Sequence, residues 1–340
     1  MKERILQKEE AFLSPYAQRS RFSRGRQKQE QPCPMRTDYQ RDRDRIIHSK
    51  AFRRLKNKTQ VFFSPEGDHY RTRLTHTLDV SQVARSICRN LDLNEDLAEA
   101  IALGHDLGHT PFGHVGERCL NQLCPHGFVH NEQSLRVVDV LEKDGKGLNL
   151  TFEVRDGILN HKRSGKPATL EGKAVSLADR IAYLNHDIDD AVRAGLLTES
   201  RLPKDLIKLL GKTPSKRINR MITSIYTCSV GKNCVEMEEE IYSAMDKLRT
   251  FMFENVYITE NTKGEEERAM NMLSTLYAYF KSNPKKMPDF YYGLLKEYDI
   301  DRVVCDYISS MSDRYAVYVF QEIFVPKNFL KITNNNGGNK

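Results

Sequence analysis

The stretch that decides the fold is NEDLAEAIALGHDLGHTPFGH, residues 94–114. It opens with Asn94 and two acidic residues, which is typical of a helix N-terminus. Apolar residues at helical spacing follow. Three histidines and an aspartate then crowd the last ten residues, together with two glycines and Pro111. Because proline cannot sit inside a helix, we predict a helix over 94–109 that ends where the GHTPFG segment turns the chain.

Helical periodicity recurs along most of the chain. The pattern predicts further helices at 41–55, 74–91, 130–145, 151–165 and 173–195, and near 216–230, 235–255, 265–281 and 299–324. Residues 59–73 break this period around a Pro-Glu-Gly turn, which indicates a short strand or hairpin. We therefore expect an all-α helical bundle with at most a short β-hairpin. The expected organisation is a basic N-terminal arm (1–35), a core (36–200), a helical C-terminal extension completing the same domain (201–330) and a flexible tail (331–340).

Composition limits the class of protein. The chain has 340 residues, of which 39% are hydrophobic and 29% charged, and no apolar run is long enough for a membrane span. Seven scattered cysteines without a C-x-x-C pair fit a reducing compartment, so we expect a cytoplasmic protein. The net charge is +7, and 17 Lys and Arg fall within residues 1–58. Such an arm indicates either a polyanionic partner or simply a solvated segment, and the sequence leaves both open.

The adjacent pair His105 and Asp106 needs partners from other helices to complete a metal site. His76 lies mid-helix on an apolar and Thr-rich stretch, and Asp179 lies among residues that look buried. A buried carboxylate requires a partner, which a metal would supply. Two imidazoles and two carboxylates form a mixed nitrogen and oxygen set that suits a divalent ion.

The ordered set His…His-Asp…Asp resembles that of the HD-domain metallophosphohydrolases. Six stretches resemble more narrowly the dGTPase-like branch, the deoxynucleoside triphosphate triphosphohydrolases. They are RDRDRIIHSKAFRRLKNKTQVF (41–62), RTRLTHTLDV (71–80), GHDLGHTPFGHVGE (104–117), HNEQSLR (130–136), LADRIAYLNHDIDDAVRAG (177–195) and DYISSMSDRYA (306–316). Small departures at Ser309, Ser310 and Ser312 do not touch the metal motif.

The resemblance implies a role for each matching residue. The metal ligands would be His76, His105, Asp106 and Asp179, binding Mn, Mg, Fe, Co or Ni. Water would attack the α-phosphorus, with His114 as the proton donor, Glu117 orienting it, and His130 lining the phosphates.

Substrate-binding roles fall on five further residues. Arg73 shares a helix face with His76, and Arg180 adjoins Asp179, so both are candidates for contacting phosphates. Tyr183 and Asp187 follow Asp179 along one helix face. The resemblance implies that Tyr183 stacks under the deoxyribose and that Asp187 and Gln60 bind the 3′-hydroxyl.

Several alternatives stay open. His109 is a rival metal ligand, although a supporting role is preferred, and His161 and His186 are interpreted as structural. The leading hypothesis is hydrolysis of a dGTP-like deoxynucleoside triphosphate to deoxynucleoside and tripolyphosphate. The alternatives are another HD-domain nucleotidase or phosphodiesterase, and a non-catalytic nucleic-acid-binding protein. The resemblance also implies a homo-oligomer, hexamer or dimer, with single-stranded nucleic acid as a further partner and no membrane association.

Overall fold

A computed structural model describes residues 1–60, 71–257 and 260–326. The predicted hairpin falls largely on residues 61–70 and the predicted flexible tail on 331–340, so both lie outside the described residues. At the edges of the first gap, Thr59 and Thr72 form an isolated antiparallel bridge. No helix of the described part is long and apolar enough to cross a membrane.

The described chain is helical almost throughout, which confirms the all-α prediction. The first half contains α1 (Lys2–Phe12), α2 (Asp38–Ile47), α3 (Lys50–Arg54), α4 (Arg73–Asn90), α5 (Glu95–Gly104), α6 (Gly113–Leu123), α7 (His130–Arg136), α8 (Glu142–Gly145) and α9 (Phe152–Leu159). The second half contains α10 (Leu170–Arg193), α11 (Lys204–Leu210), α12 (Pro214–Ser229), α13 (Glu239–Met252), α14 (Glu260–Ser282), α15 (Asp289–Leu294), α16 (Ile300–Ser309) and α17 (Asp313–Phe324). Short 3₁₀ and π turns connect some of them.

Two helices that were predicted as continuous are each divided by a serine. Ser49 ends the run from α2 by accepting a hydrogen bond from the Phe52 backbone N–H at 3.1 Å, which starts α3. Ser312 separates α16 from α17 in the same way, accepting from the Tyr315 N–H at 3.3 Å. The continuous predictions were wrong because a serine side chain at an N-cap satisfies the first N–H groups of a new helix.

Other helix boundaries also differ from prediction. Asn94 caps α5 as expected, accepting from two backbone N–H groups, but α5 ends at Gly104, so the His-Asp pair lies just beyond the helix. The predicted helix 130–145 continues from α7 as a π-helical turn over Val137–Leu141. It then passes through Lys143 and Asp144, both with positive φ.

The first hydrophobic cluster forms where α4, α5 and α10 pack against one another. The 24-residue α10 is the longest helix of the described part. Thr72 caps α4 and Thr169 caps α10, each through its side chain. This packing places the first turn of α4, the end of α5 and the middle of α10 side by side, and these are the positions that carry the predicted metal ligands. His76 therefore lies near the start of its helix and not in mid-helix as predicted.

A second hydrophobic cluster joins α6 to the C-terminal helices α14, α16 and α17. Its buried members include Leu120 from α6, Leu273 from α14 and Ile308 from α16. The C-terminal region is therefore packed against the helix that follows the GHTPFG turn, which places it directly behind the candidate site.

Candidate active site and metal centre

The fold brings the four predicted metal ligands together. His76 Nε2 lies 3.0 Å from Asp179 Oδ1, and His105 Nε2 lies 3.8 Å from the same oxygen. The distance from His105 Nε2 to Asp106 Oδ1 is 3.6 Å. The two histidines and Asp106 are buried, so three elements distant in sequence supply one compact donor cluster.

The protonation pattern of His105 fits a metal ligand. Its Nδ1 donates a hydrogen bond to the Ala102 carbonyl at 2.6 Å. This bond leaves Nε2 with its lone pair directed into the cluster, where that buried atom has no hydrogen-bond partner among the described residues. A backbone carbonyl on one ring nitrogen, orienting the other toward an ion, is the usual arrangement at metal centres. The four residues therefore fit a divalent ion with mixed nitrogen and oxygen ligands.

The cluster keeps its carboxylates ionised. Burial by itself raises the pKa of Asp106, but His105, His109 and Arg73 together hold that pKa well below its ordinary value. Burial also raises the pKa of Asp179, but the hydrogen bond with His76 and the nearby histidines lower that pKa below its ordinary value. Metal ligands must be deprotonated, so both carboxylates are in the form that binding requires.

Arg73 lies against the metal cluster, in a position that the phosphate prediction did not anticipate. Its Nη1 donates to Asp106 Oδ2 at 2.8 Å and its Nη2 donates to the Gln60 carbonyl at 3.2 Å. The side chain is 2% exposed. In this structure the guanidinium contacts the carboxylate that is predicted to bind metal, and Arg73 also lines the cavity beside it. Contact with a phosphate remains a prediction.

The GHTPFG turn leads into α6 and places the predicted catalytic residues beside the cluster. Glu117 Oε1 accepts hydrogen bonds from the His130 backbone N–H at 3.0 Å and from His130 Nδ1 at 2.9 Å. His114 Nδ1 lies 3.6 Å from Glu117 Oε2, and the His114 side chain is 59% exposed. Burial raises the pKa of Glu117, but the two histidines outweigh it and lower the pKa below its ordinary value.

Two glycines allow this close packing. A Cβ at Gly108 would meet the Ser134 backbone nitrogen at 2.1 Å, and one at Gly116 would meet the Pro111 carbonyl at 2.1 Å. Neither contact is sterically possible, so both positions require glycine. Backbone close approach is thus the physical reason for the glycines at these two positions of the motif.

His109, the rival metal ligand, lies between the cluster of predicted metal ligands and the pair formed by Glu117 and His130. Its Nε2 is 3.6 Å from Asp106 Oδ1, and its ring stacks on His130 with centroids 4.1 Å apart. Burial, Arg73 and His130 lower the pKa of His109 well below its ordinary value. His109 therefore contacts both Asp106 and His130, and these three residues also form a group that could hold an ion. The supporting role of His109 remains a prediction.

The two histidines interpreted as structural differ in their surroundings. His161 Nε2 lies 3.3 Å from His130 Nε2, and burial lowers the His161 pKa to about 3. His161 also lines the cavity, which its interpretation as a structural residue did not anticipate. His186 lies 3.2 Å from Asp79 and packs edge-on behind His76.

A cavity of about 210 Å³ opens onto the cluster. Three further predicted substrate residues line it, Gln60, Arg180 and Tyr183. The Gln60 Oε1 atom is buried without a hydrogen-bond partner among the described residues, and Arg180 Nη1 donates to the Tyr242 hydroxyl at 2.9 Å. Asp187 is 1% exposed and does not line the described part of this cavity.

Sequence reasoning missed four charged residues that line this cavity, three of them cationic. Lys162 and Arg163 follow α9, while Asp246 and Arg249 come from α13. Arg163 Nη1 donates to Asp246 Oδ1 at 2.7 Å, and Arg249 Nε lies 3.4 Å from the same oxygen. The His-Lys-Arg run at 161–163 was a signal available in the sequence. Nothing local in α13 indicated that its face would meet the site.

Comparison with known proteins agrees with this geometry. The HD domain family model matches residues 73–184, and the model of the phosphohydrolase-associated domain matches 235–322. A deoxyguanosinetriphosphate triphosphohydrolase-like protein of Caldanaerobacter subterraneus subsp. tengcongensis is 60% identical over 315 residues, 93% of each chain. A protein of the same description from Clostridium tetani is 48% identical, over 96% of this chain and 97% of its own.

Among solved structures, a phosphohydrolase from Bacteroides thetaiotaomicron matches with a TM-score of 0.53 at 19% identity. The match covers 83% of this chain and 68% of that one, and it supports the fold alone. The sequence identities to the full-length relatives are far higher and extend through both matched domains. The chain belongs to the HD-domain phosphohydrolases and, within them, to the deoxyguanosinetriphosphate triphosphohydrolase-like family.

Proposed function

We propose that this protein is a metal-dependent triphosphohydrolase that converts a deoxynucleoside triphosphate to the deoxynucleoside and inorganic tripolyphosphate. The observation that carries the proposal is the placement of three groups around one cavity. These are the four-residue donor cluster, the histidine and glutamate groups of α6 and α7, and a set of cations at the mouth. The names of the relatives support a substrate of this class.

His76, His105, Asp106 and Asp179 would hold the divalent ion. When bound, such an ion lowers the pKa of a ligating water and screens phosphate oxygens. Manganese, magnesium, iron, cobalt and nickel are all compatible with two nitrogen and two oxygen ligands.

The proton needed by the leaving group would come from His114. Water adds to the α-phosphorus, the bond from that phosphorus to the 5′-oxygen breaks, and the departing oxygen takes a proton to become the 5′-hydroxyl. His114 suits this step because its ring is exposed to the cavity while Glu117 holds its Nδ1 side. His130 shares the same carboxylate at 2.9 Å, so its Nε2 side is the one that would face the phosphates or His161.

The remaining cavity residues match the parts of a deoxynucleotide. A triphosphate carries several negative charges, and Lys162, Arg163, Arg180 and Arg249 offer positive charge around one opening. Tyr183 would lie against C2′ of the sugar and leave no space for a hydroxyl. The unpartnered Gln60 Oε1 would accept a hydrogen bond from the 3′-hydroxyl. The contact of Asp187 with the same hydroxyl remains a prediction.

The basic N-terminal segment offers less free charge than its sequence indicates. Arg26 is ion-paired with the buried Asp42, Arg21 pairs with Glu3 and Glu10, and Arg24 stacks over a phenylalanine ring. Binding of single-stranded nucleic acid, assembly into a dimer or hexamer and a cytoplasmic location remain predictions.

The decisive experiment identifies the phosphorus product. The purified protein is incubated with each of the four deoxynucleoside triphosphates and Mn²⁺, and the products are separated by ion chromatography. Tripolyphosphate together with free deoxynucleoside supports the proposal. Release of orthophosphate or pyrophosphate would indicate a different phosphohydrolase. If no product forms with any metal, the result would favour a non-catalytic binding protein. Asp106→Ala, prepared in parallel, controls for contaminating phosphatases.

A further inference from the structure

The stretch DYISSMSDRYA, residues 306–316, has no role in the function proposed above. It includes the end of α16, the Ser312 cap and the start of α17. The structure places it against the two chain segments that carry Gln60 and His114. Two charged residues, Lys58 and Asp313, make these contacts.

Asp313 joins two segments with one carboxylate. Its Oδ1 accepts a hydrogen bond from the Phe112 backbone N–H at 3.0 Å. Its Oδ2 accepts from the Thr59 backbone N–H at 2.9 Å and also from the Thr59 hydroxyl. Thr59 immediately precedes Gln60, and Phe112 lies two residues before His114. A single side chain of the C-terminal region therefore bridges the segment that carries Gln60 and the segment that leads into His114.

Phe112 needs such a contact because of its backbone. Its φ is +60° and its ψ is +28°, the left-handed conformation that non-glycine residues rarely adopt. Phe112 is also the N-cap of α6 and makes no side-chain capping bond. A carboxylate on its N–H at the start of this helix compensates for the unfavourable conformation and interacts favourably with the helix dipole.

Lys58 makes a second connection of the same kind. Lys58 is 2% exposed, and its Nζ donates to the Ser309 carbonyl at 2.7 Å and to the His109 carbonyl. The Lys58 carbonyl in turn accepts from the Arg73 backbone N–H at 3.1 Å. The end of α16 is thus tied to the loop that contains His109 and to the residue that holds Asp106.

We propose that Asp313 and Lys58 are positioning residues through which the C-terminal segment 306–316 fixes the geometry of the active site. Asp313 fixes the position of Phe112, two residues before His114, relative to Gln60. Lys58 fixes the position of the loop that contains His109 relative to Arg73. The C-terminal region would then help to position the catalytic residues, and its role would not be limited to burying the apolar surface of the helical core. Neither residue lines the cavity, so both act through the residues they hold.

The test measures the loop directly by hydrogen–deuterium exchange on the whole protein. In Asp313→Ala, exchange of the backbone amides of residues 110–117 should accelerate about tenfold or more, the factor expected from losing one charge-assisted hydrogen bond. The rate kcat should fall by a similar factor or more, with KM changed much less. Metal content should stay at the wild-type level, because the four ligands are not touched.

A matched control is an aspartate of the same region that does not contact the loop. Asp301 on α16 binds the Tyr277 hydroxyl at 2.5 Å and Lys281 Nζ at 2.7 Å. Asp301→Ala should leave exchange of residues 110–117 and kcat near wild type. Asp313→Asn keeps an acceptor for the Phe112 N–H and should recover part of the activity lost in Asp313→Ala. If Asp313→Ala does not fold, Thr59→Val replaces it in the test, because this variant removes only the hydrogen bond from the Thr59 hydroxyl to Asp313.

The exchange result does not depend on the proposed function, whereas the kinetic result does. Unchanged exchange of residues 110–117 in Asp313→Ala, or equal acceleration in Asp301→Ala, would overturn the positioning role whatever the activity. Faster exchange in a protein whose wild type releases no tripolyphosphate would support the positioning role while refuting the proposed function. Lys58→Met provides an independent repeat, with the same accelerated segment expected.

Discussion

The ion pair between Arg73 and Asp106 allows the stability of the site to be separated from its ability to bind metal. Nη1 and Oδ2 are 2.8 Å apart, and the two side chains are 2% and 5% exposed. Removing one partner of a buried pair leaves the other charge without compensation and costs about 3–5 kcal/mol. For a chain of this size that corresponds to roughly 6–10 °C in the melting temperature, at about 2 °C per kcal/mol.

Asp106→Ala should therefore lower the melting temperature by that amount and abolish metal binding together with hydrolysis. Arg73→Met should destabilise the metal-free protein by a similar amount but keep the ion, since all four ligands remain. The double variant lacks both charges. Its loss of stability should therefore be much smaller than the sum of the losses in the two single variants. The expected interaction energy is on the order of 3 kcal/mol. The double variant should still bind no metal.

The assay combines thermal denaturation with elemental analysis for metal. In wild type, metal at about 100 times its dissociation constant should stabilise the fold by about 2.7 kcal/mol. That increase should vanish in both variants that lack Asp106. Lys50→Met is the control, because its ion pair with Asp144 is 62% and 78% exposed and such pairs contribute about 1 kcal/mol or less.

An Asp106→Ala protein with stoichiometric metal and normal turnover would refute the ligand assignment. Strictly additive losses in the double variant would refute the buried ion pair. The two outcomes are independent, so one experiment tests two separate statements about the site.

The remaining predictions concern the proton donor and the sugar. His114→Ala should retain metal but lose activity about a hundredfold or more, the usual scale for a general acid; loss of the ion, measured by elemental analysis, would place His114 among the ligands instead. Tyr183→Ala should lower the ratio of kcat/KM for dGTP over GTP by about one to two decades, because an unpaired buried hydroxyl costs about 1–3 kcal/mol. Asp187→Ala should weaken both substrates alike; an unchanged ratio in Tyr183→Ala would make that ring a structural aromatic.

Much of the metal centre was predictable because its signals are local. The Asn94 cap, the crowded histidines and the prolyl turn each act within a few residues of His105 and Asp106, so the sequence records them directly. The helix was predicted to end at residue 109, but α5 ends at Gly104. The difference arose because histidine has little preference between a helix and a turn. The divisions at Ser49 and Ser312 were missed because apolar periodicity continues through them.

The parts that escaped prediction depend on packing between distant segments. Arg73 was assigned to phosphate from its helix face, but nothing in that face indicates that Asp106 lies 2.8 Å away. The contribution of Arg249 required knowing that α13 packs near α10. Sequence periodicity identifies which side of a helix is buried, whereas the identity of the neighbour follows from the tertiary arrangement alone.

The same distinction explains why the C-terminal region matters to the chemistry. The His-Asp motif predicts part of an ion site from local sequence, whereas the predicted proton donor His114 follows Phe112, whose backbone is left-handed. That conformation costs energy, and the compensating hydrogen bond comes from Asp313, 201 residues further along the chain. Only part of the donor cluster, the adjacent His105 and Asp106, is specified locally. On the proposal made above, the placement of His114 relative to that cluster depends on Asp313 and on the second hydrophobic cluster, which joins α6 to α14, α16 and α17. On this proposal metal binding and the position of His114 depend on partly different parts of the sequence, so we expect substitutions to be able to remove one without the other.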